Sequence, residues 1–250
     1  MKKILLLVMV LSACSKPLYV TTLPLPKPLS TEEQWNIAML ERVKVIEYRT
    51  GILFTEGWVP RMQFGAPDYI SSTANFGGCY DQSIRAMWVT SAYRTLIPFS
   101  APGFAGDTNP LSETARMLID HELGHALADQ ISYRTHRRIW PDTSAWRNQT
   151  GDQNLADKIL TEGVGEYFGR LLGSDTTTSA EWLPTGDGGF AWLMDSWPYY
   201  GGYWLVKPII DRFGEQGIAY IAKHPLRFKD NKIRQAAYLY QEKAFKKLSK

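Results

Sequence analysis

The sequence predicts an α+β domain, and three observations carry that expectation. Short β-prone runs punctuated by Gly77-Gly78 and Asp81-Gln82 fill Gly51 to Ile97, and segments with helical apolar spacing dominate the rest of the chain. Apolar residues make up 44% of the chain and charged residues 21%, as in an ordinary globular protein. A length of 250 residues fits one or two domains with a core that needs no staples. The formal charge of +3, spread without basic blocks, gives no support for nucleic-acid binding. Two cysteines are too few for a disulfide framework.

At the N-terminus, Met1-Lys2-Lys3 is positively charged and Ile4 to Leu11 is apolar. A bilayer-spanning helix needs about 20 apolar residues, so this stretch reads as an export signal. Leu11-Ser12-Ala13-Cys14 resembles the lipobox of bacterial lipoproteins. The resemblance implies cleavage before Cys14 and lipidation of its thiol, giving a signal peptide over 1–13, a tether over 14–30 and a folded domain over 31–250. It also implies a lipid-anchored protein of the cell envelope. Ser15 rather than Asp after the cysteine points to the outer membrane, facing the periplasm, in a Gram-negative cell. The competing reading is an ordinary secretory signal cut near Ala13. Cys79, the other cysteine, reads as a small buried apolar residue rather than a nucleophile.

Pro17, Pro24, Pro26 and Pro28 disfavour helix in the tether, which at about 3.1 Å per residue reaches roughly 45 Å. Ser30 or Thr31 caps a helix running to about Tyr48, with Trp35, Ala38, Met39, Arg42, Val43 and Ile46 on one face. Strands are expected within Ile52 to Phe54, Trp58 to Phe64 and Ala86 to Tyr93, with turns at Gly77-Gly78 and Asp81-Gln82. Asn109-Pro110 starts a helix that continues to about Ser132. A polar loop over Tyr133 to Thr150 precedes a second long helix from about Asn154 to Leu172, stopped by Gly173. Ser174 to Gly189 reads as a long loop. Helices then cover roughly Gly202 to Phe213, Glu215 to Lys223 and Asp230 to Leu248.

The chemistry sits in the two long helices. His121-Glu122-Leu123-Gly124-His125 is an H-E-x-x-H sequence, whose spacing puts both imidazoles on one helix face within reach of a single metal ion. Glu122 stands beside them, able to bond a water without ligating. Met117, Leu118, Ile119, Leu123, Ala126 and Leu127 make the helix an almost wholly buried one, where ionisable groups are costly unless paired or metal-bound. A metzincin needs Gly at position 128 and His at 131, and the chain has Ala128 and Ile131, which excludes that branch. On the second helix, Glu162-Gly163-Val164-Gly165-Glu166 places two carboxylates one turn apart, as metal-site partners or as a solvated stripe. Gly163 and Gly165 each cost a helix near 1 kcal/mol relative to Ala, so a close approach by a neighbouring helix is expected there. His136 reads as a solvated loop residue among Arg134, Arg137 and Arg138.

The pairing of H-E-x-x-H with a downstream E-G-x-x-E resembles the gluzincin metallopeptidases, across roughly Gly77 to Gly214. The resemblance implies a zincin-like domain with a small N-terminal sheet, an edge strand and a mainly helical C-terminal half. It implies Zn2+ bound by His121, His125 and Glu162, Glu122 as general base and Glu166 orienting a ligand imidazole. An extended polypeptide substrate is then expected on the edge strand, matched here to Arg85 to Ala92 after the turn at Gly77 to Asp81. Tyr199-Tyr200-Gly201-Gly202 resembles the Y-x-K-G segment of aminopeptidase-like members, which implies that Tyr199 stabilises the oxyanion. Gly201 departs from that pattern, and Tyr200 and Tyr203 compete for the role. The aromatic run from Trp182 to Trp204 reads equally as a cleft wall or as core.

The expected activity is therefore that of a membrane-anchored zinc metallopeptidase. Two rivals stand beside it: a peptidase-fold lipoprotein that only binds a partner, and a zinc hydrolase acting on peptidoglycan cross-links.

Overall fold

Trp35, Ala38, Met39, Val43 and Ile46 form the buried face of α1 (Thr31–Thr50), which opens with Glu32 and Glu33 and closes with Arg49 in its last turn. Charges so placed complement the helix dipole at both ends. The computed structural model describes residues 30–65, 77–90, 113–135, 151–171, 197–228 and 232–250, and Thr31–Lys250 folds as one compact unit. Expectations for the signal peptide, Cys14, the tether, Asn109-Pro110, His136 and the long loop after Gly173 lie outside the described residues. So do Trp182, Phe190 and Trp192 of the aromatic run.

Three short strands come next: β1 (Arg61–Phe64), β2 (Gly78–Asp81) and β3 (Ala86–Val89). They form one sheet in the order β1-β3-β2, parallel between β1 and β3 and antiparallel between β2 and β3. The β2–β3 turn is organised by Asp81, whose Oδ1 accepts from the Ser83 backbone N–H at 2.9 Å and its hydroxyl at 2.6 Å. Arg85 closes that turn with a left-handed φ of 51°. Several sequence expectations change here, the first being that Gly77 to Asp81, matched to a turn, forms strand β2 from Gly78 onward. Ile52 to Phe54 is not a strand; its backbone bonds side chains instead, with the Gln130 amide donating to the Leu53 carbonyl at 2.8 Å and Glu47 accepting from the Phe54 N–H at 2.8 Å. The segment matched to the edge strand is the central one, because β3 pairs on both sides, and the edge beside the long helices is β2. Cys79 lies on that edge strand and is half-buried rather than buried.

The helical part comprises α2 (Glu113–Arg134), α3 (Gly151–Leu171), α4 (Gly202–Lys223) and α5 (Ile233–Leu248), with a π-helical turn (Trp197–Gly201) leading into α4. The helix α3 starts three residues before the position expected from the apolar spacing. The expected break between two C-terminal helices is a kink inside α4 at Gly214, with φ 52° and ψ −127°. Ile119, Leu123 and Leu127 of α2 and Ile159, Val164 and Phe168 of α3 are fully buried in one apolar core. Each large apolar side chain so buried contributes about 1.5–3 kcal/mol, which sets α2 and α3 as the rigid centre of the unit. Gly163 answers the expectation of a close approach: a Cβ there would lie 2.5 Å from the backbone carbonyl of Gly202, so α3 and α4 cross backbone to backbone. Among the described residues no helix is long and apolar enough to cross a membrane. The fold is α+β, with a small sheet and mostly helical content.

Candidate metal centre

Three consecutive residues of α2 point at three different neighbours, as the 100° step of a helix requires. Asp120 faces α1, where Arg42 forks its carboxylate through Nε at 2.8 Å and a terminal nitrogen at 2.7 Å. His121 faces α3. Glu122, only 4% exposed, faces β2, and its carboxylate accepts the backbone N–H of Tyr80. The Tyr80 hydroxyl in turn donates to Asp129 Oδ2 at 3.1 Å, two turns further along α2, so β2 is pinned to the helix on either side of His125.

The α2–α3 seam brings the sequence-predicted ligands together. His121 Nε2 lies 3.0 Å from His125 Nε2 and 3.2 Å from Glu162 Oε2, and His125 Nε2 lies 3.7 Å from the same oxygen. Room for the imidazoles comes from Gly165: a Cβ there would sit 2.7 Å from His121 Nε2 and 2.8 Å from His125 Cε1. Behind His121, Nδ1 lies 3.4 Å from Glu166 Oε1. In the tautomer with its proton on Nδ1, His121 donates to Glu166 and turns its Nε2 lone pair toward the other two acceptors. With both Nε2 atoms deprotonated, three lone pairs converge on one point, an arrangement that could hold a cation.

Without a metal ion, protons on the imidazoles bind the two carboxylates instead. Burial alone would lower the His121 pKa, but hydrogen bonds to Glu162 and Glu166 and the charge of Glu122 outweigh it and lift the group well above 6.5. Burial would raise Glu162, but its bonds to both imidazoles hold it below the ordinary carboxylate range. Glu166 is lowered too, with His121 and Arg170 overcoming its burial. Glu122 moves the other way: burial raises it, the two imidazoles pull it down without cancelling that, and Glu162 adds to the rise.

Whether a metal ion fits can be judged from the donor set. Tetrahedral ligands at 2.0–2.2 Å from zinc stand about 3.3 Å from one another, and the three separations here bracket that value. His121, His125 and Glu162 are the group among the described residues whose ligand atoms lie close enough together, all within 4.8 Å, to hold one ion.

Of the three candidate tyrosines, Tyr199 lies against the site, its ring centroid 6.3 Å from that of His121. Tyr200 and Tyr203 instead flank the guanidinium of Arg170. Sequence reasoning missed Lys158, whose ammonium lies 5.9 Å from the Tyr199 ring, along with Arg170 and the Tyr80 backbone contact. Arg170 had a signal, since a Glu followed by a cation four residues on is a favourable helix pair. The contact between Tyr80 and Glu122 had none, because it depends on how a strand docks.

No protein-family model, curated protein or solved structure matches the chain, so the site is read from its own geometry.

Proposed function

We propose that the protein is a zinc-dependent metallopeptidase of the gluzincin kind with a zincin-like fold, held in the cell envelope by a lipid on Cys14. The convergence of His121, His125 and Glu162 on one point, with Glu122 buried beside them, carries the reading. Two imidazoles and a carboxylate suit zinc in an open tetrahedral site. Zinc, when bound, polarises the scissile carbonyl and lowers the pKa of water toward neutrality.

Glu122, buried beside the three ligands, accepts a proton from the attacking water and passes it to the leaving amine. The Tyr80 N–H keeps one face of that carboxylate oriented. Glu166 holds His121 in the tautomer that presents Nε2. Tyr199, on the turn that opens α4 with its ring beside His121, donates its hydroxyl to the developing oxyanion in this reading. Among the described residues β2 pairs within the sheet only with β3, and this edge position beside Glu122 supports an extended polypeptide substrate there.

The test sets Glu122→Gln beside Tyr199→Phe, with zinc content and peptide-library cleavage measured on each. Glu122→Gln keeps its zinc and loses about 10²–10⁴-fold in turnover, while Tyr199→Phe loses roughly 10–10³-fold. Full activity in the Glu122→Gln protein contradicts the mechanism. A wild type that binds zinc and cleaves nothing moves the partner-binding lipoprotein ahead of the enzyme.

A further inference from the structure

The carboxylate behind His121 has a support of its own. Glu166 directs Oε1 at His121 Nδ1 across 3.4 Å, and its Oε2 accepts from Arg170 Nε at 2.6 Å. Arg170 lies one turn further along α3, with its guanidinium carbon 5.0 Å from the Tyr200 ring centroid and 5.5 Å from that of Tyr203. Those tyrosines flank the junction between the π-helical turn and α4, the same turn that sets Tyr199 against His121.

The arrangement differs from an ordinary i,i+4 pair on a helix surface, where both charges stay in water and hold no fixed geometry. Here the Arg170 and Glu166 side chains are 17% and 16% exposed. A carboxylate bonded through one oxygen can swing about its terminal torsions, whereas a bond to each oxygen sets its plane. Arginine suits the position because its Nε donates in the guanidinium plane while the faces of that plane remain free for aromatic rings. A lysine offers a point charge and no plane.

We infer that Arg170 is a positioning residue for the metal centre: it fixes Glu166, and through it the His121 imidazole, and ties both to the turn that carries Tyr199. The inference rests on the zinc reading above. Its function is to set the direction of a ligand, so its loss weakens metal binding without removing a ligand.

The test is Zn2+ affinity of the full-length chain, measured by competition with a chromophoric chelator, with folding checked by circular dichroism. Arg170→Met weakens Zn2+ binding about 10–100-fold, the range seen when partners of ligating groups are removed. Arg170→Lys falls between that variant and wild type, about 3–10-fold weaker, because it keeps charge but not the plane. The double variant Glu166→Gln/Arg170→Met binds Zn2+ within about twofold of Glu166→Gln alone, since residues acting through one another are not additive. Losses that multiply in the double variant overturn the inference, as does unchanged affinity in a folded Arg170→Met protein. Should Arg170→Met not fold, Arg170→Lys decides alone, and affinity equal to wild type overturns it. A wild type that binds no Zn2+ overturns the metal reading itself, whereas a zinc-binding wild type indifferent to Arg170 overturns only this inference.

Discussion

Asp120 and His121 are neighbours on one buried helix, yet they anchor two charged clusters of opposite character. On the α1 side, Arg42 offers two donors to the two oxygens of Asp120, and the pair is complete. On the α3 side, His121, His125, Glu162 and Glu166 bring more acceptors than donors. The pKa directions record the contrast. Burial wins at Asp120 and pushes it up to about 6 despite the Arg42 fork. Hydrogen bonds win at Glu162 and Glu166, which are held down while His121 is lifted. Burial and charge alone therefore do not mark a metal site; the balance of donors and acceptors does. One cluster is a structural clasp, and the other could hold a cation.

Separate perturbations of the two clusters sharpen this comparison. The largest effect is expected on the α3 side: His125→Ala removes one of three ligands and weakens Zn2+ binding by more than about 100-fold, the upper range for mere supporting partners. The metal content after dialysis reads this directly, and the metal-free wild type remains folded because the Arg42–Asp120 clasp is untouched. On the α1 side, Arg42→Met leaves a buried carboxylate without its partner and costs about 3–5 kcal/mol in urea unfolding of the metal-free protein. That variant retains Zn2+ when folded. If instead Arg42→Met lost zinc with no loss of stability, the division between the clusters would be wrong.

A smaller effect concerns pH. Asp120 has its folded pKa raised from 3.8 to about 6, so between those values the folded state holds a proton that the unfolded state has released. Its contribution therefore falls as pH rises from about 4 to about 6, by on the order of 3 kcal/mol. Unfolding free energies of wild type and Asp120→Asn across this range isolate the group from the other carboxylates. Wild type should lose ground to Asp120→Asn as pH rises. A gap that stays constant, or opens the other way, contradicts the assignment of Asp120 as a carboxylate dominated by burial.

Much of the fold and the site is legible in the sequence where the signal is local. The i,i+4 spacing within H-E-x-x-H, the spacing of Glu162 and Glu166, the unfavourable Gly163 and Gly165 in a helix and the break at Gly214 are all short-range patterns that the fold respects. Even Arg42 stands on the apolar face of α1, a charge in the wrong place for a solvated helix and in the right place for Asp120. Pairing across distance is not legible. Four-residue strands carry too few alternations to show which is central, so the family resemblance matches β3 to an edge while the fold pairs it on both sides. The pinning of Glu122 by the Tyr80 backbone and the packing of Tyr200 and Tyr203 on Arg170 depend on docking angles that no local pattern encodes.

The central claim is that the acceptors on the seam between α2 and α3 hold one metal ion. Metal analysis of the purified full-length chain, combined with X-ray absorption at the zinc edge, tests it most directly. The expected result is one zinc per chain with two imidazole nitrogens and at least one oxygen at about 2.0–2.2 Å. A chain that takes up no zinc from a metal-replete buffer, or whose zinc shows sulfur ligation or survives both His125→Ala and Glu162→Ala, would contradict it.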